Sequence, residues 1–357
     1  MTARRVLAGS PEHRAGVWGA RGVGLLVLVL VPVVLPPLKL PIATEMAAWA
    51  VAVLGLNLIV GFAGQISLGH AAFVGVGAYT TVILNADHGW PLVATVPAAF
   101  AVTFVLGFLI GVPALRFRGL YLALLTLAVG VAFGPVVKRL EWLTNGTNGK
   151  GSTDIVAPPH WFGTTRQAER VWLYLVVTTF AVAVYVVMAN MVRGRVGRAL
   201  EAMRGDELAA QTFGINVVLL KTAMFGVSAG ITGVAGALLV LPAPFVGEGR
   251  FSLTLSLQMY TAVFVGGIGT FSGSVLGGVV IAWLPVLLTT LGVGLNPSLI
   301  FGGALVGVTL FAPDGVMGTW QRWRRTIVEV VARSPREHDA SVLDDDPVEI
   351  EVELDAR

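Results

Sequence analysis

Three polar side chains stand close together in an otherwise lipid-compatible stretch, GFAGQISLGHAAFVGVGAYTTVIL at residues 61–84: Gln65, Ser67 and His70, with Gly64 just ahead of them. An amide, a hydroxyl and an imidazole at this spacing, among residues that weaken a helix, suit an unwound turn or half-helix. Its free amides and hydroxyl would meet a substrate carboxylate inside a protein-lined cavity. The same groups would equally serve to hydrogen-bond adjacent helices, marking packing or a gate. Ionisable groups inside a membrane helix are costly and mark ion or proton pathways. His70 is the only internal one, with Glu45 and Lys221 near span ends, which argues against a proton-coupled carrier. No Walker A pattern and no H-E-x-x-H occurs. The chain has no cysteine, which removes thiolate chemistry, disulfides and Cys-type metal sites. The residues therefore describe a protein that is not itself an enzyme and has no metal or bound cofactor, one that conducts passively or borrows energy.

A second cluster carries charge. Residues 193–216, RGRVGRALEAMRGDELAAQTFGIN, place Arg198, Glu201, Arg204, Asp206 and Glu207 among Leu200, Met203, Leu208 and Phe213. Ala199 to Gln211 is rich in helix formers, and Gly214 stands where it caps the C-terminal end. The pattern predicts one short helix at the membrane surface. Its charges alternate with apolar residues without forming a clean stripe. Such a mix suits a groove on a soluble partner better than burial in lipid, the other reading being a plain interfacial helix.

The elements that must position both clusters are membrane helices. Hydrophobic residues make up 55% of the 357-residue chain and charged ones 13%, against about a quarter charged in soluble domains. Apolar runs recur at 22–38, 43–61, 66–84, 91–112, 119–137, 171–190, 217–241, 252–268, 274–292 and 297–312. Each is fit to cross a hydrocarbon core of about 30 Å with its amides paired internally. The fold class is all-α, a polytopic membrane helix bundle of about ten transmembrane helices. Residues 1–21 form a basic N-terminal segment, 22–320 the transmembrane domain and 321–357 a charged tail. No small-residue cleavage site precedes Pro36 and Pro37, which predicts a retained first helix. With the N-terminus inside, 15 basic residues fall on the cytoplasmic face and seven on the other, so both termini are expected in the cytoplasm. The tail after Arg333 holds nine of the 21 acidic residues and reads as a solvated, disordered appendage.

Glycines sit inside the spans. The pairs Gly107/Gly111, Gly226/Gly230, Gly273/Gly277 and Gly303/Gly307 have the small-xxx-small spacing that lets membrane helices approach closely. They predict contacts within one subunit first, a subunit interface second. The outer loop 138–170 is too polar and turn-rich to span, and long enough to form a cap or docking surface. A short echo links GQIS at 64–67 with GTFS at 269–272, and duplicated halves are common in transport proteins.

Five segments together resemble the permease subunits of bacterial branched-chain amino-acid ABC importers, specifically the longer of the two paired permeases. They are LNLIVGFAGQISLGHAAFVGVGAYTT (56–81), RGLYLALLTLA (118–128), GRALEAMRGDELAAQTFGINV (197–217), SAGITGVAGAL (228–238) and FVGGIGTFSGSVLGG (264–278). The resemblance implies an inner-membrane protein that pairs with a second permease, two ATP-binding subunits and an external solute-binding protein, with no nucleic-acid partner. It implies that 197–214 is a cytoplasmic coupling helix seated in an ATPase cleft. Arg198, Glu201, Arg204, Asp206 and Glu207 would then contact the ATPase, and Ala209, Ala210 and Gly214 would permit close approach. Gly64, Gln65, Ser67 and His70 become candidates for the substrate path, with aliphatic neighbours suited to a branched side chain. The rival cargo is urea, a short amide or another small polar solute; the rival class is a stand-alone channel.

Overall fold

The structure, a computed structural model, describes residues 4–7, 28, 30–114, 120–152, 154, 156–163, 165–290, 292, 297–312 and 314–331. Most of the expected N-terminal segment (1–3 and 8–21), residues 22–27 and 29 of the first span 22–38, and the acidic tail from 332 onward lie outside the described residues. The chain divides into two units. One comprises residues 27–321; the other joins 1–26 with 322–357. In the latter, Arg4–Leu7 pairs in parallel with Val328–Val331.

The larger unit is helical. Its elements are α1 (Leu40–Asn57), α2 (His70–His88), α3 (Thr95–Ala114), α4 (Leu120–Arg139), α5 (Arg166–Arg193), α6 (Arg195–Gly205), α7 (Glu207–Thr212), α8 (Val217–Val240), α9 (Leu253–Gly266), α10 (Phe271–Thr290) and α11 (Pro297–Phe311). Helix α12 (Gly315–Ile327) follows at its border. Among the described residues seven helical segments are long and apolar enough to cross a membrane: Leu40–Phe62, Leu92–Pro113, Tyr121–Arg139, Arg166–Arg193, Val217–Val240, Phe271–Thr290 and Ser298–Trp320. The stretches expected at 66–84 and 252–268 correspond to α2 and α9 and are not among these seven. With 14 residues, α9 rises only about 21 Å. Helix α2 begins four residues later than expected, because 63–69 is not helical.

Two helices form the core. The spanning windows of α8 and α1 are buried over 89% and 78% of their residues, whereas that of Ser298–Trp320 is 12% buried. Helix α8 can sit centrally because its small residues remove the bulk that would hold neighbours away. Gly77 of α2 lies against the backbone of Gly233, and Gly236 against that of Val74. Gly226 and Gly230 receive the rings of Phe104 and Phe100, while Gly107 meets Ala229 and Gly111 meets Thr222 and Phe225. Gly277 packs on Val53 and Ala262, Gly278 on Ala50, and Gly273 on Gly266 and Gly267. Six of the eight glycines picked out by spacing are thus close-approach points within the subunit. Gly303 and Gly307 are not: a Cβ on either would meet nothing within 4 Å. Helix α11 has the same spacing but little of the subunit packed against it.

The loop 138–170 is tied to its neighbours by a short strand pair and several polar bonds. Lys150–Gly151 pairs antiparallel with Phe245–Val246. Lys150 Nζ bonds Asp87 Oδ2 at 2.5 Å and the Leu143 carbonyl at 3.0 Å, and Lys138 pairs with Glu248 at 3.0 Å. At the end of α2, Asn85 Nδ2 donates to the Trp90 carbonyl at 2.7 Å and to Asp154 Oδ2 at 2.8 Å. A cleft of about 550 Å³ beside it is lined by Pro91, Leu92, Asp154, Val156, Trp172 and Val176, among others.

Candidate functional site: two broken helices and a surface hairpin

Helix α1 does not end cleanly. Its last turn, Leu58–Phe62, widens to a π-type turn, and the chain then unwinds through 63–69 before α2 begins. Turns of this kind inside helices gather at functional sites. The unwinding has a local cause: Gly64 takes φ +69°, a left-handed conformation open to glycine. The segment turns back into the bundle, where Leu68 N–H donates to Thr126 Oγ1 at 3.0 Å and Ala71 N–H to Ser256 Oγ at 3.2 Å. The expected unwound turn is therefore present. These two amides are bonded to hydroxyls of α4 and α9.

His70 and Ser67 are also engaged inward. Ser228 Oγ donates to the Gly55 carbonyl at 2.6 Å, which uses its one hydrogen. His70 Nε2, 2.8 Å from that oxygen, must then be the donor, leaving Nδ1 to accept from Ser67 Oγ at 2.7 Å. The result is a closed chain, Ser67 to His70 to Ser228 to Gly55, joining α1, α2 and α8. His70, Ser67 and Ser228 are all buried, so this chain presents no surface to a solute. Gly226-Val-Ser-Ala-Gly230 matches, as a string, the turn that presents a hydrolase serine. Here Ser228 lies in the middle of α8 and its hydroxyl is spent on a carbonyl, so it is no nucleophile. Gln65 differs from its neighbours: it is half-buried, and its Nε2 has no hydrogen-bond partner among the described residues.

A second break lies between α9 and α10. Gly269 takes φ +70°, matching Gly64. The two positions begin the GTFS and GQIS echoes, which share this first glycine conformation and then differ, since 271–272 is already helical and 66–67 is not. They also meet. Asn57, fully buried, accepts from Gly269 N–H at 2.9 Å and donates to the Thr270 carbonyl at 3.0 Å and Ser274 Oγ at 2.9 Å. Gly61 lies directly against the Gly269 backbone. Sequence reading missed Asn57, a lone amide in an apolar run, which Asn57 shares with many neutral packing positions.

The surface hairpin sits on the same junction. The single helix expected over Ala199–Gln211 is two, α6 and α7, because Asp206 leaves helical geometry and caps the second. Its Oδ1 accepts from Leu208 N–H at 2.8 Å and Ala209 N–H at 3.2 Å. Gly214 takes φ +80° just past the end of α7, and Ile215 N–H bonds the Ala210 carbonyl at 3.1 Å, the expected C-terminal cap. Helix α6 is more clearly two-sided than its sequence suggested: Gly197, Leu200 and Met203 are buried, and Arg198 and Glu201 are exposed.

The candidate contact residues therefore divide. Arg198, Glu201, Arg204, Asp206, Ala209 and Gly214 are exposed. Ala210 is 1% exposed and packs inward. Glu207 forms an ion pair with Lys221 at the start of α8. Arg204 reaches into the junction, its Nη1 donating to the Gly61 carbonyl at 2.6 Å. Two large apolar side chains of the hairpin also face outward, Phe213 and Leu208, 84% and 67% exposed.

Comparison with known proteins adds to this geometry. A family model described as branched-chain amino acid transport system / permease component matches residues 40–312. The high-affinity branched-chain amino acid transport system permease protein LivM of Salmonella typhimurium is 30% identical, with 82% of this chain and 73% of that protein covered. LivM of Escherichia coli is likewise 30% identical, covering 83% and 74%. The corresponding LivH protein of Escherichia coli is 24% identical over 76% of this chain and 92% of its own. No solved structure matches the chain.

Proposed function

Because this chain belongs to the branched-chain amino acid transport permease family, we propose that it is the transmembrane permease of an importer for branched-chain amino acids and forms half of the translocation path. It is a multi-pass inner-membrane protein of the LivM type. It works by alternating access, exchanging outward-open and inward-open states. The other half of the path is a second permease, since the chain is similar to LivM proteins and, more distantly, to LivH.

The energy comes from elsewhere. Two ATP-binding subunits supply it, an external receptor delivers the solute, and the permease needs neither metal nor cofactor. Both termini lie in the cytoplasm, as does the hairpin α6–α7. The observation that supports this division most directly is the hairpin itself: it lays Leu208 and Phe213 open while seating Leu200, Met203 and Ala210 inside. Exposed apolar side chains beside charged ones suit a cleft on a soluble subunit. A free-standing channel has no use for such a surface.

Reconstitution tests the reading. In proteoliposomes holding both permeases, the ATP-binding subunits and the receptor, leucine uptake should require ATP, and removing the ATP-binding subunits should abolish it. Solute flux through this chain alone would overturn the proposal. A receptor that binds urea tightly and ignores leucine would overturn the cargo.

A further inference from the structure

The surface hairpin is bonded to the place where the two helix breaks meet, and one side chain makes that bond. Arg204 closes the last turn of α6. Its stem lies against Gly64, where a Cβ would stand 3.2 Å from Arg204 Cγ. Its Nη1 donates to the Gly61 carbonyl at 2.6 Å and lies 3.8 Å from where a Cβ on Gly269 would stand. Both left-handed glycines thus lie against the same side chain, Gly64 on its stem and Gly269 at its Nη1. The electrostatics favour it there, since the carbonyls ending a helix carry partial negative charge and a cation on them is stabilising. A charged donor on a carbonyl is also among the stronger hydrogen bonds.

We propose that Arg204 is the positioning residue that carries hairpin movement to both breaks, and not a contact to the ATP-binding subunit. A partner seated on Leu208 and Phe213 that shifts α6–α7 pulls on Gly61. Asn57, four residues before Gly61 and bonded to Gly269, Thr270 and Ser274, passes the pull to the second break. The two turns then move together, as a gate at one end of the path requires. This rests on the importer reading given above.

The test compares wild type with Arg204→Gln and Arg204→Lys in the full reconstituted importer. The glutamine variant should retain its ATP-binding subunits and hydrolysis, yet move about tenfold fewer leucines per ATP, the loss of one charged hydrogen bond. Lysine, which restores a cationic donor to the Gly61 carbonyl, should recover part of the ratio. An unchanged ratio in the glutamine variant overturns the proposal, and so does loss of the ATP-binding subunits from it, which would make Arg204 a docking contact. Hydrogen exchange on the permease alone supplies an arm independent of the importer. Segments 61–69 and 266–272 should exchange faster in Arg204→Gln while α3 and α8 stay unchanged; equal exchange again overturns it. Should wild type retain no ATP-binding subunit, the importer reading fails, and the exchange arm still decides whether Arg204 restrains the breaks.

Discussion

Asn57 donates to Ser274 at 2.9 Å, a bond between residues 217 apart in the chain. The same amide holds Gly269 N–H and the Thr270 carbonyl, so one side chain fixes the register of α1 against the start of α10. Removing it takes the acceptor from Gly269 N–H, at about 1–3 kcal/mol, and leaves a cavity at a fully buried position, while the Thr270 carbonyl keeps Ser274 N–H and Oγ. Asn57→Ala should therefore lose about 3 kcal/mol, read as a lowered midpoint of thermal unfolding in detergent. Asn57→Asp keeps the acceptor for Gly269 but turns a negative oxygen toward the Thr270 carbonyl, and should be worse than alanine. A smaller loss for aspartate would show that the donor bonds matter little.

His70 tests whether the polar cluster touches solute. Its two ring nitrogens are occupied by Ser67 and Ser228, and it is 1% exposed. His70→Ala should cost about 2–3 kcal/mol of stability through a cavity and the orphaned hydroxyl of Ser67, Ser228 keeping its bond to the Gly55 carbonyl. In the fraction that folds, the apparent KM for leucine should stay within about twofold, because uniform binding energy has not been touched. A KM raised tenfold with stability retained would place His70 in the path.

Glycines in two helices should answer differently to the same change. At Gly77 a methyl group runs into the Gly233 carbonyl, whereas at Gly303 it meets open space. Overpacking a close helix contact costs about 1–3 kcal/mol. Gly77→Ala should lower yield and melting temperature, and Gly303→Ala should leave both unchanged for the isolated chain. Equal tolerance at the two positions would mean that α2 and α8 can separate at little cost.

Much of this was legible in the sequence, and the gaps have physical reasons. Glycine, glutamine and serine in an apolar run announce a break wherever they occur, so 61–69 could be read directly. The echo at 269–272 could be seen, but letters do not say that two turns touch. Asn57 went unread because its meaning lies in partners more than 200 residues away. Gly205-Asp206-Glu207 carried a helix-start signal that would have split the hairpin helix, yet high helix propensity on both sides concealed it. Arg204 shows why charge alone does not give direction: an exposed residue can lay its stem on Gly64 and bond its head to the Gly61 carbonyl. Gly303 and Gly307 share a spacing with real contacts but lack a neighbour to contact.

The hairpin provides the last prediction, and the structure alters how it should be tested. Reversing Asp206 and Glu207 to lysine is the obvious way to disrupt docking, but Asp206 caps α7 and Glu207 pairs with Lys221. That double variant would damage the hairpin before any partner met it, costing about 1 kcal/mol for the cap alone. Phe213 is the cleaner probe. It is 84% exposed, follows α7 and contributes nothing to the core, so Phe213→Asp should leave insertion and thermal stability unchanged. An exposed aromatic inserted into a partner's cleft commonly supplies 2 kcal/mol or more of binding, by about the measure of interface hot spots. Co-purification of the ATP-binding subunits should then fall by about thirtyfold, with Leu208→Asp weakening it further. Retention of those subunits at wild-type levels would mean that the hairpin's exposed apolar surface is not where the motor attaches.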